Sequence, residues 1–325
     1  MKILITGAGG YIGTMLIHHL KKLNIASTIY GFDNFLYNQG PYVYDVLTQR
    51  DACQFYQENV LEFSDNLKRC IQQVDVIIPL AAIVGAPLCD KIPKYATKIN
   101  YEWFEQLLEQ PGIEDKLLIY PNTNSGYGST GTEICTEETP PNPLSLYGEI
   151  KQATEDLLLN NHSQSICFRL ATVFGWSFRP RLDLLVNSLT YEATFEGRID
   201  LFDGHFRRNY VHVTDVCRAF VFALQMKNKM KGNVYNLGND AANTTKKQLV
   251  ERVCHYSDAS FFDVHNKTDP DKRDYIVSSQ KLYSLGYSPI VDLDKGIQEV
   301  RDFLMYLSSD RDIRQLQTLC MFNRL

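Results

Sequence analysis

A short apolar run, Lys2 to Thr6, passes without a break into Gly7-Ala8-Gly9-Gly10-Tyr11-Ile12-Gly13. A helical pattern follows at once from Tyr11 to Leu23, with Ile12, Leu16, Ile17 and Leu20 on one face. In a strand-turn-helix unit of this kind Gly7 permits the tight turn, Gly10 lets backbone approach a pyrophosphate, and Gly13 lets the helix pack on the strand. The helix N-terminus then offers free amides and a positive dipole to phosphates. A bare glycine turn would serve packing alone, and Asp33 argues against that reading. It stands at the end of the next β-type run, about 20 residues after the last glycine, where an acid binds ribose hydroxyls and repels a ribose 2′-phosphate. The pattern predicts a dinucleotide site that takes NAD in preference to NADP.

The alternation continues along the first half of the chain. Ser27 to Phe32, Cys53 to Tyr56, Val74 to Leu80 and Leu117 to Pro121 read as strands, and Tyr95 to Leu108 and residues 145 to 159 read as helices. Strands alternating with helices predict an α/β fold, a doubly wound parallel sheet of the Rossmann type, over residues 1–175. After Gly175 the regularity weakens. Trp176, Arg179, Pro180 and Arg181 precede a helical pattern from Leu184 to Glu192, which is read as the start of a smaller, mixed α/β substrate-binding lobe over residues 176–325. Within that stretch Arg208 to Val216 and Asn233 to Gly238 read as strand segments that return to the first lobe. Residues 308–325 place Ile313, Leu316 and Leu319 on a helical face expected to dock on the body.

Composition narrows the function classes. With 325 residues, 44% of them hydrophobic, and a formal charge of −5, the chain is an ordinary globular one whose basic residues are scattered. That balance argues against nucleic acid as a partner and favours a small molecule. The eight cysteines form no Cys-x-x-Cys pair and have no histidine at metal-ligand spacing, so no metal site is expected and they read as buried thiols of a reducing compartment. Cys89, just beyond a strand end, is read as a packing residue. The glycine-broken N-terminus does not suit a signal peptide, and there is no apolar run of the roughly 18 residues a membrane helix needs. A cytoplasmic enzyme without a membrane partner is the expectation.

The candidate chemistry lies on the helix after Leu144. Tyr147 and Lys151 are four residues apart, a spacing that puts both on one helix face. Such a pair is common by chance on surface helices. Here, however, Thr123 lies at the end of the strand Leu117 to Pro121, where an open α/β sheet places its ligands. Free tyrosine has a pKa of about 10 and is a poor base, but a neighbouring ammonium favours its phenolate. Tyr147 would then accept an alcohol proton, Thr123 would hydrogen-bond the same oxygen, and Lys151 would in addition hold the nicotinamide ribose while hydride leaves.

These residues together carry a resemblance. GAGGYIG, GFDNF around Asp33, LAA at Leu80 to Ala82, TNSGYG at Thr123 to Gly128 and YGEIK at Tyr147 to Lys151 resemble the extended short-chain dehydrogenase/reductase family. RLATVFG from Arg169, RLDLLVN from Arg181, RRNYVHVTDV from Arg207 and YNLGN from Tyr235 extend the resemblance over almost the whole chain, in the sugar-nucleotide epimerase/dehydratase branch. It implies a cofactor site of Gly7, Gly10, Tyr11, Ile12, Gly13, Asp33, Asn34, Asn59, Val60, Leu80, Ala81, Ala82, Tyr147 and Lys151, with Asn100 supporting the site. It implies a nucleotide-diphosphate sugar as substrate, with Asn187 on the pyrophosphate, Arg208 and Arg273 near the phosphates or nucleoside, and Arg179 and Arg181 as further candidates. It also implies a homodimer paired through the helices Tyr95 to Leu108 and Leu144 to Leu159.

Departures from the branch pattern restrict the chemistry. Asn124-Ser125 stands where 4,6-dehydratases carry Asp-Glu, so elimination of water lacks its acid and base. The cysteine and histidine of the branch's epimerase-reductases are not apparent either. Redox at one carbon, C4, remains. Asn59 replaces an aspartate near the adenine, and Asn209 replaces one after the arginine of the RRNYVHV run; both keep hydrogen-bonding capacity. Two catalytic readings stay open, a 4-epimerase acting through a 4-keto intermediate and a C4 dehydrogenase that releases the keto sugar. A non-catalytic NAD(H)-sensing protein is a third, which the intact threonine, tyrosine and lysine count against. Direct titration is expected to show NAD binding more tightly than NADP, and the opposite order would overturn the role given to Asp33.

Overall fold

The computed structural model describes residues 1–36, 39, 43, 53–264 and 272–310. The face of Ile313, Leu316 and Leu319, expected to dock, lies outside the described residues. Those described divide into two compact units. The first is drawn from Met1–Gly126, Pro141–Arg169 and Cys217–Tyr235, and the second from Tyr127–Pro140, Leu170–Val216 and Asn236–Leu325. No helix among the described residues is long and apolar enough to cross a membrane.

A seven-stranded sheet organises the first unit. Its strands are β1 (Lys2–Thr6), β2 (Thr28–Asp33), β3 (Cys53–Gln57), β4 (Val76–Pro79), β5 (Leu117–Thr123), β6 (Ser165–Leu170) and β7 (Asn233–Leu237). They lie in the order β7-β6-β5-β4-β1-β2-β3. Pairing is parallel between β1 and β2, β2 and β3, β1 and β4, and β4 and β5. Ile3, Leu4, Ile5, Ile77 and Ile78 have no exposed surface, which is why β1 and β4 read as continuous apolar runs without alternation. Strand order reverses between β1 and β4. Sheets of this kind bind ligands at such a reversal, outside the carboxyl ends of the strands.

The helix expected over residues 95–108 is present in three pieces. It begins as Pro93–Thr97, widens into a π-helical turn at Lys98–Glu102, and closes as Trp103–Leu108. Ile99, Trp103 and Leu107 are buried at an unbroken four-residue spacing across it, so the apolar pattern carried no sign of the wider turn. Behind it Trp103 stacks on Phe63, meets Phe104 edge-on and donates its indole N–H to the Val60 carbonyl at 3.0 Å.

In the second unit Thr172–Phe174, Arg207–His212 and Asn239–Thr245 form a three-stranded sheet. Phe174, Val186, Leu189, Ile199, Tyr210, Leu249, Val253 and Ile297 make its core. Of the two strand segments expected beyond residue 175, Asn233–Leu237 is the outer strand of the large sheet, whereas Arg207–His212 belongs to this smaller one. The second segment is also shorter than expected, since Val213 starts a helix that runs to Met230. His212 marks the change, its Nδ1 accepting the Thr214 amide at 3.3 Å; Val211-His212-Val213-Thr214, with three β-branched residues of four, had the composition of a strand. Buried Asp215 then accepts the amides of Ile290 and Val291, each at 3.0 Å, and ties the stretch before the helix starting at Leu293 to its own helix.

Trp103→Ala is expected to lower stability by about 3–5 kcal/mol, the usual result of emptying a large aromatic site. A falling denaturant midpoint at unchanged cooperativity would show it. An unaltered midpoint would mean that the aromatic cluster is not holding the first unit together.

Candidate active site

The crevice between β1 and β4 is shaped by the absence of side chains. Gly7 has φ of +66°, and a Cβ there would lie 2.6 Å from the Ala81 nitrogen and the Leu80 carbonyl carbon. A Cβ on Gly13 would lie 2.3 Å from the Gly7 oxygen, so the helix Tyr11–Lys22 sits directly on the turn. Thr6 joins the two loops as well, its carbonyl taking the Leu80 amide and its hydroxyl the Ala81 amide, at 3.0 and 3.2 Å. Leu80, Ala81 and Ala82 remain half-buried along this edge. Gly10 is the N-cap of the helix; glycine brings no acceptor of its own, which suits a helix end whose first amides receive a phosphate. Tyr11 is buried and Ile12 half-buried.

Asp33 is held against this turn. One carboxylate oxygen accepts the Gly9 amide at 3.0 Å, and the other accepts the Phe35 amide at 2.8 Å and the Gln39 side-chain amide at 3.2 Å. Gly9 itself is a position that motif reading passed over. A Cβ there would meet the Phe35 ring at 2.7 Å, so the second strand's loop, as well as the first, depends on the glycine turn. Asn34 and Asn59 each accept a backbone amide two residues on, from Leu36 and Leu61, which shapes their loops as Asx turns. Val60 is buried in the core. A glycine turn at a helix N-terminus, with an acid fixed beside it, is a donor and acceptor set that fits a dinucleotide with a free ribose 2′-hydroxyl.

β5 runs two residues past its expected end, to Thr123. The Thr123 hydroxyl donates to Ser125 Oγ at 2.9 Å and accepts the Ser125 amide at 3.1 Å. The Thr123 amide donates to the Asn122 side chain at 2.7 Å. Next in the chain, Asn124 is 1% exposed and both ends of its amide lack a hydrogen-bond partner among the described residues. Tyr147 and Lys151 stand in the helix Leu146–Asn161, whose start is capped by the Ser145 hydroxyl accepting the Gly148 amide. Tyr147 is half-buried.

Lys151 is only 4% exposed, and its ammonium nitrogen lies 3.9 Å from the centre of the Tyr120 ring on β5. Burial lowers its pKa from 10.5 to about 7, against the opposing negative charge of Glu155. The same burial pushes the Cys89 thiol up to about 12 and Cys167 well above the ordinary range. Both therefore stay protonated, and Cys89, hydrogen-bonded to the Ile83 carbonyl at 3.5 Å, has the environment of a packing residue. Asn100, in the π-helical turn, clamps Ile83 from both sides: its oxygen accepts the Ile83 amide at 2.9 Å and its nitrogen donates to the Ile83 carbonyl at 2.7 Å. Thr154, one helix turn past Ile150, donates to the Asn100 carbonyl at 2.6 Å. Chains of this kind lock the helix of Tyr147 and Lys151 to the loop that follows β4.

In the second unit, Asn187 accepts the Gly175 amide at 3.0 Å and donates to the carbonyls of Gly175 and Arg181, so its side chain braces the stretch 175–181. Arg181 pairs with Asp183. Arg179 and Arg208 are buried; Arg208 donates to the Arg207 carbonyl at 2.9 Å and faces the Tyr275 ring, while Arg273 is half-buried. Asn209 donates to the Asn239 carbonyl at 2.8 Å, and its oxygen has no partner among the described residues. Sequence reading passed over Asn122, Glu155 and Tyr120. The Lys151 to Glu155 spacing was available as a signal, but nothing in a sequence reports that Asn122 and Tyr120 face them.

The model of the NAD dependent epimerase/dehydratase family matches residues 3–238. A Bacillus subtilis protein described as an uncharacterized UDP-glucose epimerase is 27% identical, over 95% of this chain and 98% of its own length. UDP-glucuronate 4-epimerase 4 of Arabidopsis thaliana is 25% identical, over 95% of this chain and 76% of its own length. Among solved structures, the UDP-glucuronic acid 4-epimerase of Bacillus cereus, in complex with UDP-glucuronic acid and NAD, superposes with a TM-score of 0.82 at 28% identity, covering 97% of this chain and 100% of that one. The dTDP-glucose 4,6-dehydratase of Bacillus anthracis, in complex with NAD, shares the fold with a TM-score of 0.81 at 24% identity, covering 95% and 98%.

Lys151 makes a signed prediction about the protein free of cofactor. Its folded pKa, about 7, lies below its ordinary 10.5, so between those values the unfolded chain binds a proton that the folded chain does not. Stability should therefore rise with pH through that window. Lys151→Met is expected to stabilise the cofactor-free protein below pH 7, with the gain fading as pH approaches 10.5. Thermal melts across that range test it, and a gain that did not change with pH would contradict the assigned burial.

Proposed function

The chain belongs to the NAD-dependent epimerase/dehydratase family, and from that premise we propose that it inverts C4 of a nucleotide-diphosphate sugar by oxidation and re-reduction at that carbon. The observation that carries this reading is the arrangement in the first unit. A tyrosine and a buried lysine share one helix face, a threonine ends β5, and the two residues after that threonine are Asn124 and Ser125, neither of which ionises. A 4,6-dehydratase needs an acid and a base to remove water. Asn124 and Ser125 supply neither, so of the two activities represented among the relatives the residues favour epimerisation. UDP-sugars are the substrate class that the relatives' names support.

NAD, when bound, supplies the hydride acceptor and donor. Gly7, Gly10 and Gly13 with Tyr11 and Ile12 would hold its pyrophosphate, Asp33 and Asn34 its adenosine ribose, and Asn59 and Val60 the neighbourhood of its adenine. Leu80, Ala81, Ala82, Asn100, Tyr147 and Lys151 complete the set. The protein's own chemistry concerns one proton. Tyr147, as phenolate, takes it from the C4 hydroxyl and gives it back when the alcohol re-forms. The Lys151 ammonium favours that phenolate. Thr123 hydrogen-bonds the sugar oxygen and holds it in line with Tyr147.

The second unit is proposed as the substrate lobe, with Asn187, Arg208, Arg273, Arg179 and Arg181 as its candidates for the diphosphate and nucleoside. Arginine suits a diphosphate because its planar fork binds two oxygens at once. Pairing of two copies through the helices around 95–108 and 144–159 belongs to the same reading, as does a cytoplasmic location.

Incubation with UDP-glucose and with UDP-glucuronate tests the proposal. An epimerase returns a product of unchanged mass and altered stereochemistry, whereas a product lighter by two hydrogens would replace this reading with a dehydrogenase. Tyr147→Phe is expected to lower turnover by at least about 10²-fold, within the usual worth of a general base, and to leave NAD affinity nearly unchanged. Normal turnover in that variant would remove Tyr147 from the role.

A further inference from the structure

We propose that Glu155 is a positioning residue for this site, a buried carboxylate that orients Thr123 through the side chain of Asn122 while Arg169 holds it in place. The inference rests on the catalytic reading of Thr123 given above. Glu155 is 1% exposed and stands one helix turn beyond Lys151. One of its oxygens accepts the Asn122 side-chain amide at 2.7 Å, and the other accepts Gln152 at 3.1 Å. The Arg169 guanidinium, on β6, grips both oxygens with contacts of 2.7, 3.1 and 3.2 Å.

Asn122 transmits the constraint because its two ends differ. Its nitrogen donates to Glu155 while its oxygen accepts the Thr123 amide at 2.7 Å. A reversed side chain would set an oxygen against a carboxylate and an NH2 against an N–H, so the carboxylate allows one orientation only. That orientation fixes the Thr123 backbone, and with it the hydroxyl that donates to Ser125. Stability alone does not account for the arrangement, since buried ion pairs are often replaced by apolar residues of similar volume without loss. A requirement to hold one threonine hydroxyl in one direction does account for it.

A double-mutant cycle distinguishes positioning from packing. The wild type, Asn122→Ala, Thr123→Ala and the double variant are assayed with bound NAD, using UDP-glucose and UDP-glucuronate as probes. Asn122→Ala is expected to reduce kcat by about tenfold to a hundredfold, the scale of a reacting group displaced by a fraction of an ångström to an ångström. KM and NAD affinity are expected to stay within about twofold, as for a loss confined to the transition state. In the Thr123→Ala background, Asn122→Ala should add almost nothing, because its effect runs through Thr123.

Additive losses, or an unchanged kcat in Asn122→Ala alongside a damaged Thr123→Ala, would overturn the inference. Full activity in Thr123→Ala would instead overturn the catalytic reading beneath it. If Asn122→Ala does not fold, Glu155→Leu combined with Arg169→Met removes the ion pair as a whole and is read in the same cycle, with the same outcomes for and against.

Discussion

The rest of the first unit depends on the contact between the turn after β1 and the loop after β4. At Gly7 the backbone adopts a left-handed conformation with the Leu80–Ala81 peptide so near that no Cβ could be accommodated. Thr6 bonds to the same two residues, and the helix behind Gly13 rests directly on the turn. These short distances place a helix N-terminus at the point where strand order reverses. An anion-binding helix end and a topological switch point are separate features, and here a single glycine contact brings them together.

A second constraint is electrostatic. The helix Leu146–Asn161 carries Lys151 and Glu155 into the interior on successive turns, and each charge is met by different means. Glu155 is fully hydrogen-bonded to Arg169, Asn122 and Gln152. Lys151 faces an aromatic ring, and burial brings its pKa down to about 7. An ammonium so weakly compensated responds strongly to any negative charge that forms nearby, a phenolate included. The same helix thus carries a rigid charge that organises and a responsive charge that is available to chemistry.

Much of the fold was legible because each local signal agreed with the others. Lys2–Thr6 is apolar, its glycine turn has one accessible geometry, and Ile12, Leu16, Ile17 and Leu20 follow with helical spacing; those are properties of neighbouring residues. Legibility failed where a residue's surroundings came from far along the chain. The π-helical turn at Lys98–Glu102 carries Asn100, which is bonded to Ile83 seventeen residues away. The strand end at His212 is a local exception, its side chain bonding Thr214 only two residues on. The composition of Arg208 to Val216 pointed to strand throughout, and tertiary packing overrode it.

By itself the sequence determined the parallel α/β architecture, the glycine turn with its acid at Asp33, and the candidate trio of Thr123, Tyr147 and Lys151. The first two follow from periodicity and from spacing within one strand-turn-helix unit, and the trio from a spacing within one helix joined to a threonine at a strand end. Only the tertiary structure decided that Asn122 lies between Glu155 and Thr123, that Lys151 is buried over Tyr120, and that Asn124 is enclosed without a partner among the described residues. The physical reason is that hydrogen bonding and burial act across strands and helices that are adjacent in space and distant in sequence. The Arg169, Asn122 and Tyr120 side chains belong to strands whose order in the sheet is a property of the whole chain.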